Sequence, residues 1–488
     1  MFYYLTKSRI LELREAVLNN EFVWTGDREI VISKAEKKKN FIPLGIAAIN
    51  DRLVQEVIRS IIEPIFEFGF SNNSQGFRPN RSCHTALKSI KTRMKDSIWF
   101  IEGDLKSYFP TIHHEILMKI LELKIQYPRI LKLIRTGLKA KIFQKDNKIY
   151  NPKLGTPQGG IISPLLSNIY LDKLDKYMEE LCDQPQGHVE TDNCKNNPLA
   201  LRFLRSGQIS RYIGPIIPNE RYNQVGYCNF KYLRYADDFV IGVLGPHSMA
   251  IEIRDKVKDF LKEKLDIELS MNKTKITHVS KDISFLGYKF SGKTLLVKQT
   301  YHGKKRVRKI TIPTLDVNMI RVIARLSEAN FCKRDGTPIP AFRFLRLPQS
   351  ETNKKVNYIL RGLSEWWCIA GNRRAAVARV AYIIKYSVAK VYAAKFKLKT
   401  VAAVFKIGGN SLANPIGKRI KSVVGADYRN TSSGKKVQLT GILYDRYYKI
   451  PKPQANKLKP NWTPEHVTYL AQEHLDASKL IKDVWKIR

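Results

Sequence analysis

The stretch that decides the fold is Lys231-Tyr-Leu-Arg-Tyr-Ala-Asp-Asp-Phe-Val-Ile-Gly242. Apolar residues flank the two acids on both sides, which predicts a strand, a tight turn and a second strand, with Asp237 and Asp238 at the turn. Two adjacent carboxylates between apolar strands repel each other and lose hydration, and a divalent cation would supply the missing positive charge. Turns favour Asp in any case, so the tetrapeptide alone fits an ordinary hairpin tip equally well.

The composition indicates a large globular protein with a polyanionic partner. The chain has 488 residues, of which 43% are hydrophobic, so two to four domains are expected. Lys and Arg (85) outnumber Asp and Glu (44), which gives a formal net charge of +41. Such an excess is costly in self-repulsion and favours nucleic acid as the partner. A membrane surface is the alternative, but no long apolar span or basic amphipathic anchor stands out, so we expect no membrane association.

The cysteines and the first residues bear on the compartment. The six cysteines form no Cys-x-x-Cys pair, so we expect neither a zinc site nor a disulfide framework. Cys182, His188 and Cys194 lie close together in sequence, but their spacing is not that of a zinc site. The N-terminus resembles neither a signal peptide nor an Arg- and Ser-rich transit peptide, so we expect synthesis and use in one reducing compartment.

An upstream carboxylate could complete a metal site with the Asp pair. Trp99-Phe-Ile-Glu-Gly-Asp104 predicts a buried strand that ends in Asp104, and a strand end is a typical position for a metal ligand. A helix is expected from His113 and His114 onward. We interpret these two histidines as surface residues at the start of that helix rather than as ligands.

Two basic loops are candidate phosphate contacts. Residues 74–85 place Arg78, Arg81 and His84 on a Gly- and Pro-containing turn, and a fork of arginines suits a phosphate group. Lys34-Ala-Glu-Lys-Lys-Lys-Asn40 is a basic turn that could face a triphosphate or a template. A solvated surface loop is the alternative interpretation of both stretches.

A glycine-rich turn precedes a helix in the middle of the chain. Leu154-Gly-Thr-Pro-Gln-Gly-Gly160 predicts a turn, and a helix is expected at 165–181. The paired glycines allow close approach of a ligand, and Gln158 can offer its amide to a base, sugar or phosphate. Residues 182–230 are irregular and rich in Asn, Pro and Gly, which indicates an insertion or a long connection.

The order of these features is more specific than any one of them. Five features follow one another along the chain: a strand that ends in Asp104, the Pro-Gln-Gly turn, the Tyr-Ala-Asp-Asp hairpin, a strand with Lys273-Thr274, and Phe285-Leu-Gly-Tyr288. This order resembles the fingers and palm of reverse transcriptases and, more narrowly, group II intron-encoded proteins of the maturase–reverse transcriptase family. The narrower resemblance is carried by Leu44-Gly-Ile46, Asp51-Arg-Leu-Val-Gln55, Gln75-Gly-Phe-Arg-Pro-Asn-Arg81, Gly155-Thr-Pro-Gln-Gly-Gly160, Ser163-Pro-Leu-Leu-Ser-Asn168 and Arg234-Tyr-Ala-Asp-Asp-Phe239.

The C-terminal third carries a strongly basic helix. Between Glu365 and Asp427 there is no acidic residue, yet there are 12 Lys and Arg. A solvated face would normally include Glu, so a purely cationic face favours a track for phosphates. The stretch 360–395 resembles the thumb of the same family. The residues expected to contact nucleic acid here are Arg373, Arg374, Arg379, Lys385, Lys390 and Lys395.

The resemblance implies an α+β fold with right-hand polymerase-like fingers and palm, an α-helical thumb (the maturase domain) and a small basic C-terminal region. We expect fingers at 1–100 with a short or missing N-terminal extension, and a palm at 101–290 that includes the insertion at 182–230. The thumb, or maturase domain X, is expected at 291–403. A basic region that could bind DNA follows at 404–488, and the cysteine pairs of the family's nuclease domain are absent, so we predict no nuclease.

The resemblance also implies roles for individual residues. Two Mg²⁺ ions, with Mn²⁺ as a substitute, would be held by Asp104, Asp237, Asp238 and the carbonyl of Leu105. Phe109 would lie under the sugar and select deoxynucleotides. The remaining residues are expected to contact the incoming nucleotide or the primer: Gln158, Lys273, Arg78 and Lys38 the nucleotide, and Phe285, Gly287 and Tyr288 the primer.

The implied function is that of an RNA-directed DNA polymerase and intron maturase. It would bind a group II intron RNA, assist its splicing and copy it into cDNA during intron mobility. The alternative is a polymerase-weakened maturase that acts only as an RNA-binding splicing cofactor, because Ile42 replaces an Arg common in the family. A third class, a retron-type enzyme or an RNA-dependent RNA polymerase, is disfavoured by the basic thumb and by residues 75–81.

The expected partners and location follow from the same resemblance. The partners would be the intron RNA, a template RNA–DNA primer, target DNA and dNTPs, with a homodimer as an open alternative. The abundance of Ile, Lys, Asn and Tyr suits an AT-rich organellar genome, so we expect a mitochondrial protein. A plastid or the bacterial cytoplasm is the alternative location.

Overall fold

The structure is a computed structural model that describes residues 6–33, 41–144, 148–157, 159–183, 229–301, 304–416 and 439–442. The described residues form two compact units, one that extends to Val279 and one that begins at Ser280. The side chains of residues 32–33, 41–43, 183, 297–301 and 304–309 are not described. The expectations for Lys38, for the side chain of Ile42, for Gln158 and for most of 182–230 and 404–488 therefore lie outside the described residues.

The first unit mixes helices and strands, as an α+β fold requires. Its helices are α1 Lys7–Leu18, α2 Ile49–Glu67, α3 Cys83–Arg93, α4 Tyr108–Thr111, α5 His114–Glu122, α6 Pro128–Leu138, α7 Ser163–Asp183 and α8 His247–Leu265. Its strands are β1 Asp27–Ser33, β2 Phe41–Ala47, β3 Trp99–Asp104, β4 Ile142–Phe143, β5 Ile149–Tyr150, β6 Asn229–Tyr235, β7 Asp238–Leu244 and β8 Lys275–His278.

A four-stranded antiparallel sheet forms the centre of the first unit. Its strand order is β6-β7-β3-β8, and the register pairs Tyr235 with Asp238 across the β6–β7 turn. Residues 239–243 of β7 are all buried, which explains their continuous apolar run. Gly103 of β3 faces the ring of Phe239 so closely that an added Cβ would lie 2.0 Å from it, so only glycine fits here. The hydrophobic core lies between this sheet and helices that include α5, α7 and α8.

A second sheet, of order β2-β1-β4-β5, lies in the same unit. Strands β1 and β2 are antiparallel, and the short strand β4 adds in parallel to β1. Asp51 is a residue type that favours helix caps, but it lies inside the first turn, because α2 begins at Ile49 after Ala48. The Asp51 carboxylate instead accepts hydrogen bonds from the backbone N–H groups of Thr25 and Gly26, at 3.3 and 3.0 Å. It therefore ties α2 to the segment that leads into β1.

The second unit begins with strands and continues with helices. Strands β9 Ile283–Phe285, β10 Tyr288–Tyr301 and β11 Lys304–Val317 form an antiparallel sheet of order β11-β10-β9. This long hairpin was not foreseen in the sequence, which predicted only helices for the thumb. The helices that follow are α9 Met319–Glu328, α10 Gln349–Trp366, α11 Arg373–Lys395 and α12 Val401–Gly408.

Most predicted elements of regular structure are present. The helix expected at 165–181 corresponds to α7, and the strand, turn and strand expected at 231–242 correspond to β6, the turn at Ala236 and Asp237, and β7. The basic helix of the C-terminal third corresponds to α11. Within the described ranges, no helix is both long and apolar enough to cross a membrane.

A buried ion pair connects the sheet to α7. Arg234 and Asp175 both have fully buried side chains, with Nη2 and Oδ2 2.5 Å apart and Nε and Oδ1 2.8 Å apart. The Tyr232 hydroxyl donates a further bond of 2.9 Å to Asp175. The attraction of Asp175 keeps the pKa of Arg234 above its usual value despite the burial. Burial of two charges is tolerable only when they are paired and hydrogen-bonded in this way.

Asp175→Asn is expected to lower the free energy of unfolding by about 3–5 kcal/mol, because it leaves the buried Arg234 guanidinium without its counter-charge. Urea denaturation followed by tryptophan fluorescence measures this loss. The matched control is Glu252→Gln, which breaks an exposed ion pair with Lys256 and should leave the midpoint unchanged. Equal midpoints for the two variants would contradict the role assigned to the buried pair.

Candidate active site

Two strands and one turn bring the three aspartates to the same edge of the central sheet. Asp104 is the last residue of β3 and pairs in register with Asp238, the first residue of β7. Ala236 and Asp237 form the two-residue turn between β6 and β7. The sequence motifs predict that these three residues act together, and the register of the strands places them next to one another.

The turn that carries Asp237 is strained and supported from below. Ala236 has a φ of +57°, in the left-handed region that residues with a side chain rarely adopt. Arg234 Nη1 donates a 2.9 Å bond to the Ala236 carbonyl, and its Nη2 donates to Ser74 Oγ at 2.8 Å. Gly76 lies so close that an added Cβ would come within 2.5 Å of the Ala236 nitrogen. The turn is therefore held by Arg234 and by the loop at residues 73–76.

The loop at residues 73–76 also forms backbone hydrogen bonds with strand β6 of the hairpin. The N–H of Arg234 donates to the Asn73 carbonyl and the N–H of Gln75 donates to the Arg234 carbonyl, each at 2.9 Å. Asn168 of α7 accepts from Arg234 and donates to the Gly76 carbonyl, at 3.1 and 2.8 Å. Stretches that lie far apart in sequence thus meet beneath the aspartates.

The electrostatics of the three aspartates are unfavourable as they stand. The pKa of Asp238 is raised to about 6. Burial is the largest cause, and the neighbouring carboxylates of Asp237 and Asp104 contribute to the same shift. Burial also raises the pKa of Asp237, with Asp104 as an additional cause. Lys273 Nζ lies 2.7 Å from Asp104 Oδ2 and supplies one compensating charge. One cation does not balance three carboxylates, so the edge carries excess negative charge.

The donor chemistry of this edge fits a hard divalent cation. Carboxylate oxygens are the ligands that Mg²⁺ prefers, and a cation would relieve the repulsion that raises the aspartate pKa values. Across the ranges that the structure describes, no three His, Cys, Asp or Glu side chains converge closely enough to hold a metal as they stand. One Asp104 carboxylate oxygen lies 2.7 Å from the Lys273 ammonium.

The carbonyl of Leu105 was a further expected metal ligand. Leu105 forms an isolated antiparallel bridge with Leu269. The two hydrogen bonds of this bridge are made by flanking residues: Ser270 N–H donates to the Asp104 carbonyl, and Lys106 N–H donates to the Glu268 carbonyl, each at 3.0 Å. This pairing does not use the Leu105 carbonyl. It also fixes the loop that carries Lys273 against the end of β3.

The glycine-rich turn packs against the segment of Phe109. The Phe109 carbonyl accepts from Thr156 N–H at 2.9 Å, and Gly155 N–H donates to the Ile112 carbonyl at 2.7 Å. Gly155 has a φ of +87°, and an added Cβ would lie 2.7 Å from Pro110. Phe109 itself is half-buried. Gln158 lies outside the described residues, but its neighbour Gly159 touches the backbone of β2.

His114 was expected on the surface, and this expectation is wrong. The side chain is buried, and its Nε2 lies 2.7 Å from the Gly155 carbonyl. Burial lowers the pKa of His114. The histidine therefore supports the glycine-rich turn, a role that the pattern at the start of α5 did not reveal.

Arg78 was expected to contact phosphate, but its side chain is buried inside the protein. It forms an ion pair of 2.9 Å with Glu67 and donates to the Ser74 carbonyl at 3.0 Å. Its guanidinium also lies 5.2 Å from the centroid of the Phe70 ring. These contacts use Arg78 to shape the loop at residues 73–76. The placement does not agree with a substrate contact.

The three residues expected to grip a primer lie in the second unit. Phe285 and Tyr288 are buried and pair with each other across the β9–β10 turn, and the Tyr288 hydroxyl donates to the Trp366 carbonyl. Gly287 is exposed at the turn, with a φ of +77°. Only the turn backbone is therefore presented to solvent, while the two aromatic side chains belong to the core.

The cations of α11 do not share one environment. Arg374 and Arg379 are exposed, and Arg373 Nη2 donates to Ser364 Oγ at 3.1 Å. Two others turn inward to cap backbone carbonyls: Lys390 Nζ lies 2.7 Å from the Pro338 carbonyl, and Lys395 Nζ lies 2.6 Å from the Leu347 carbonyl. The expected cationic face is thus narrower than the sequence indicated.

Comparisons with known proteins agree with this architecture. Residues 32–290 match the family described as reverse transcriptase (RNA-dependent DNA polymerase), and residues 310–450 match type II intron maturase. The group II intron-encoded protein LtrA of Lactococcus lactis subsp. cremoris is 36% identical over 80% of this chain and 68% of its own length. The chain belongs to the reverse transcriptase family and, within it, to the group II intron-encoded proteins.

Two further relatives are organellar or intron proteins by name. The uncharacterized mitochondrial protein ymf11 of Marchantia polymorpha is 32% identical over 85% of this chain and 64% of its own length. The putative COX1/OXI3 intron 2 protein of Saccharomyces cerevisiae is 31% identical over 91% of this chain and 54% of its length. The chain therefore spans about half to two thirds of the curated relatives that it matches.

Among solved structures, telomerase from Candida albicans is similar over 79% of this chain and 65% of its own, with 11% identity and a TM-score of 0.37. Such a distant likeness adds nothing to the family assignment. The resemblance derived from the sequence motifs is confirmed by the family matches themselves. Reverse transcriptase domains generally use divalent metal ions such as Mg²⁺, and maturases bind intron RNA.

Several residues that position the aspartates were not recognisable as such from the sequence. Asp175 and Ser74 hold the Arg234 guanidinium, and Gln55 accepts from Ile161 N–H at 2.8 Å to fix the glycine-rich turn. Gln55 and Ser74 lie within or beside stretches that carried the family resemblance, so their positions were noted without a role. Asp175 lies inside the long helix α7, where a polar residue gives no local signal of burial.

Asp238→Asn is expected to raise the free energy of unfolding at pH 7 by about 1–2 kcal/mol and to change it little at pH 4. The folded pKa of about 6 lies above the ordinary value of 3.8, so the folded state of the natural chain loses stability as pH rises from about 4 to about 6. The amide removes that loss. Urea denaturation at both pH values, in EDTA, measures the difference.

The control for this experiment is Asp259→Asn on α8, an exposed position. It should change the unfolding free energy little, and equally at both pH values. A gain from Asp238→Asn that is the same at pH 4 and pH 7 would contradict the electrostatic account of the turn.

Proposed function

We propose that the protein is an RNA-directed DNA polymerase and intron maturase. It would bind a group II intron RNA, assist splicing and copy the RNA into cDNA. The observation that supports catalysis is the pairing of Asp104 with Asp238 beside Asp237, on a hairpin held by buried contacts. The family matches to a reverse transcriptase and to an intron maturase support the two halves of the proposal.

Nucleotide addition transfers a phosphoryl group in line between two oxygens and needs positioning and charge neutralisation. Asp104, Asp237 and Asp238, with the Leu105 carbonyl, would hold two Mg²⁺. Bound there, the ions would supply the charge that activates the primer 3′-hydroxyl and balances the leaving pyrophosphate. The strained turn at Ala236 would fix the direction of the Asp237 carboxylate, because the Arg234 bond prevents its relaxation.

Lys273 would change partners during this process. Its Nζ is bonded to Asp104 and its side chain is 65% exposed, so it is free to swing toward solvent when that carboxylate binds a cation. The ammonium would then be available to the triphosphate of the incoming nucleotide. Phe109 would contact the sugar, and its segment is fixed because the Tyr108 hydroxyl donates to the Ser167 carbonyl at 2.9 Å.

The remaining contacts follow from exposure. A primer contact from Phe285, Gly287 and Tyr288 would come from the exposed turn backbone, because both rings are buried. Among the cations of α11, the exposed Arg374 and Arg379 are the best placed for RNA phosphates, with Arg373 and Lys385 beside them. Gln158 and Lys38 remain predictions for the nucleotide site, and Arg78 is better explained by its internal contacts.

Location and the remaining partners rest on similarity alone. Relatives named as mitochondrial proteins support a mitochondrial location, with a plastid or the bacterial cytoplasm as alternatives. Target DNA, DNA binding by 404–488 and a homodimer remain predictions. The second candidate function, a splicing cofactor without polymerase activity, rests on Ile42 in place of the family's Arg.

Asp237→Ala is expected to abolish primer extension on poly(rA)/oligo(dT), a loss of at least about a thousandfold, because it removes a carboxylate from the reaction centre. The variant should bind RNA as the natural chain does. Asp259→Ala on the exposed face of α8 is the control and should retain full extension. Undiminished synthesis by Asp237→Ala in either Mg²⁺ or Mn²⁺ would overturn the assignment.

Primer extension by the natural chain also separates the two candidate functions. A natural chain that binds RNA but extends no primer would favour the splicing cofactor. Incorporation of dNTPs, with NTPs excluded, is the result that the polymerase proposal requires.

Replacing both Arg374 and Arg379 by Gln is expected to flatten the salt dependence of binding to an RNA duplex of about 20 base pairs. Two lost phosphate contacts would reduce the slope of log K against log salt by about 1.5. Lys390→Gln is the matched control, since its ammonium bonds an internal carbonyl and should affect stability rather than the slope. An unchanged slope in the double variant would contradict the phosphate track on α11.

A further inference from the structure

An unusual run of aromatic rings crosses the surface of α11 and α12. Tyr382 and Tyr386 are one turn apart on α11, with ring centroids 4.4 Å apart. Phe405 of α12 continues the run, 5.2 Å from Tyr386. We call these three residues the aromatic ladder. All of its members lie in the second unit, so its geometry depends on that unit alone.

Cations lie over both ends of the aromatic ladder. The Arg379 guanidinium is 5.6 Å from the centroid of Tyr382, and Lys385 Nζ is 5.8 Å from that of Phe405. Spacings of three and four residues place Arg379, Tyr382, Lys385 and Tyr386 along one side of α11. Rings interleaved with cations are the combination with which proteins bind nucleotides, since the rings take bases and the cations take phosphates.

Acidic residues contribute little to this surface. No Asp or Glu occurs between Glu365 and Asp427, the segment that contains both helices. One acid, Asp335, lies on the turn that approaches Arg379 through Gly336. Its carboxylate accepts from the N–H and the hydroxyl of Thr337, at 2.8 and 2.9 Å. Phosphate groups would therefore meet a surface of predominantly positive charge.

Packing between the two helices explains only part of the ladder. Tyr386 and Phe405 are half-buried and secure α12 against α11. Tyr382 is different, because it lies at the end of the run and is 42% exposed. The residues at 378 and 375, one and two turns before it, are exposed alanines, whose small side chains leave the surface beside its ring open. The rings of the ladder are tilted to one another, by 39° and 55°, and are not stacked. An exposed ring at the end of such a run can accept a stacked base.

We propose that the aromatic ladder binds unpaired nucleotides of an RNA, with a base stacked on Tyr382 and neighbouring phosphates held by Arg379 and Lys385. The inference rests on the proposed RNA-binding function and adds a chemical class of ligand to it. Phosphate contacts alone would accept any A-form duplex, whereas a stacking ring requires a base that is out of its helix. The thumb would therefore recognise a loop, a bulge or a single-stranded end.

The test compares two RNA probes with three variants of the full chain. The probes are a single-stranded oligo(rA) of about 12 nucleotides with a central 2-aminopurine, and a blunt RNA duplex of about 20 base pairs. Tyr382→Leu keeps an apolar side chain but removes the π face, and Tyr382→Phe keeps that face. Tyr358→Leu removes a tyrosine that is 71% exposed on α10, outside the ladder, and is the matched control.

Tyr382→Leu is expected to weaken binding of the single strand about tenfold and to abolish the quenching of 2-aminopurine that stacking produces. Duplex binding should change less than about twofold, because phosphate contacts are intact. Tyr382→Phe should bind and quench as the natural chain does, and so should Tyr358→Leu. A merely structural tyrosine would not change the quenching selectively.

Three results would overturn the proposal, and they are distinguishable. Unchanged affinity and quenching of the single strand in Tyr382→Leu, with duplex binding intact, would contradict the ladder while leaving the RNA-binding function standing. Equal losses on both probes would show that the ring supports the helix rather than a base. A natural chain that binds neither probe would contradict the proposed function and the ladder with it.

Discussion

The buried ion pair between Arg234 and Asp175 is the constraint on which the first unit depends. A guanidinium without access to water must have every donor occupied, and this one is occupied by groups from three parts of the chain. It draws α7, the loop at residues 73–76 and the β6–β7 turn to one point. The turn then has no freedom to relax, although Ala236 has a backbone conformation that most residues avoid. The positions of the aspartates therefore depend on the hydrogen bonds and the ion pair that the buried Arg234 guanidinium makes beneath them.

The three aspartates above this ion pair differ from it, because their charges are not balanced by partners. The carboxylates at the sheet edge exceed the charge that Lys273 can neutralise. Burial is the main cause that raises the pKa values of Asp237 and Asp238, and the neighbouring carboxylates add to it. A fully satisfied network thus supports an unsatisfied one. This is the arrangement expected where a rigid scaffold must present groups that would otherwise move apart, and the stability that the upper layer loses is offset by the packing of β3 and β7.

Local patterns were enough to predict several elements and the three aspartates, because alternation and turn chemistry act over a few residues, but they did not reveal the β10–β11 hairpin. The hairpin at 231–242, the strand that ends in Asp104 and the helix α11 all follow from such patterns. The failures have a common cause. His114, Lys390 and Lys395 were interpreted as exposed polar residues, yet each meets a backbone carbonyl at least 41 residues away in sequence. Arg78 meets the carboxylate of Glu67, 11 residues away. Asp175 gave no signal, because its partner is 59 residues away in sequence.

The aspartates and the buried ion pair beneath them are expected to be lost in a definite order when such a protein evolves without its polymerase activity. In a lineage that no longer needs DNA synthesis, loss of the aspartates would relieve repulsion and carry no structural penalty. Change at Arg234 or Asp175 would instead leave an unpaired charge in the core of the first unit and destabilise that unit. Descendants that survive only as RNA chaperones would therefore be expected to lose the acids of the Tyr-Ala-Asp-Asp turn long before the arginine that precedes it.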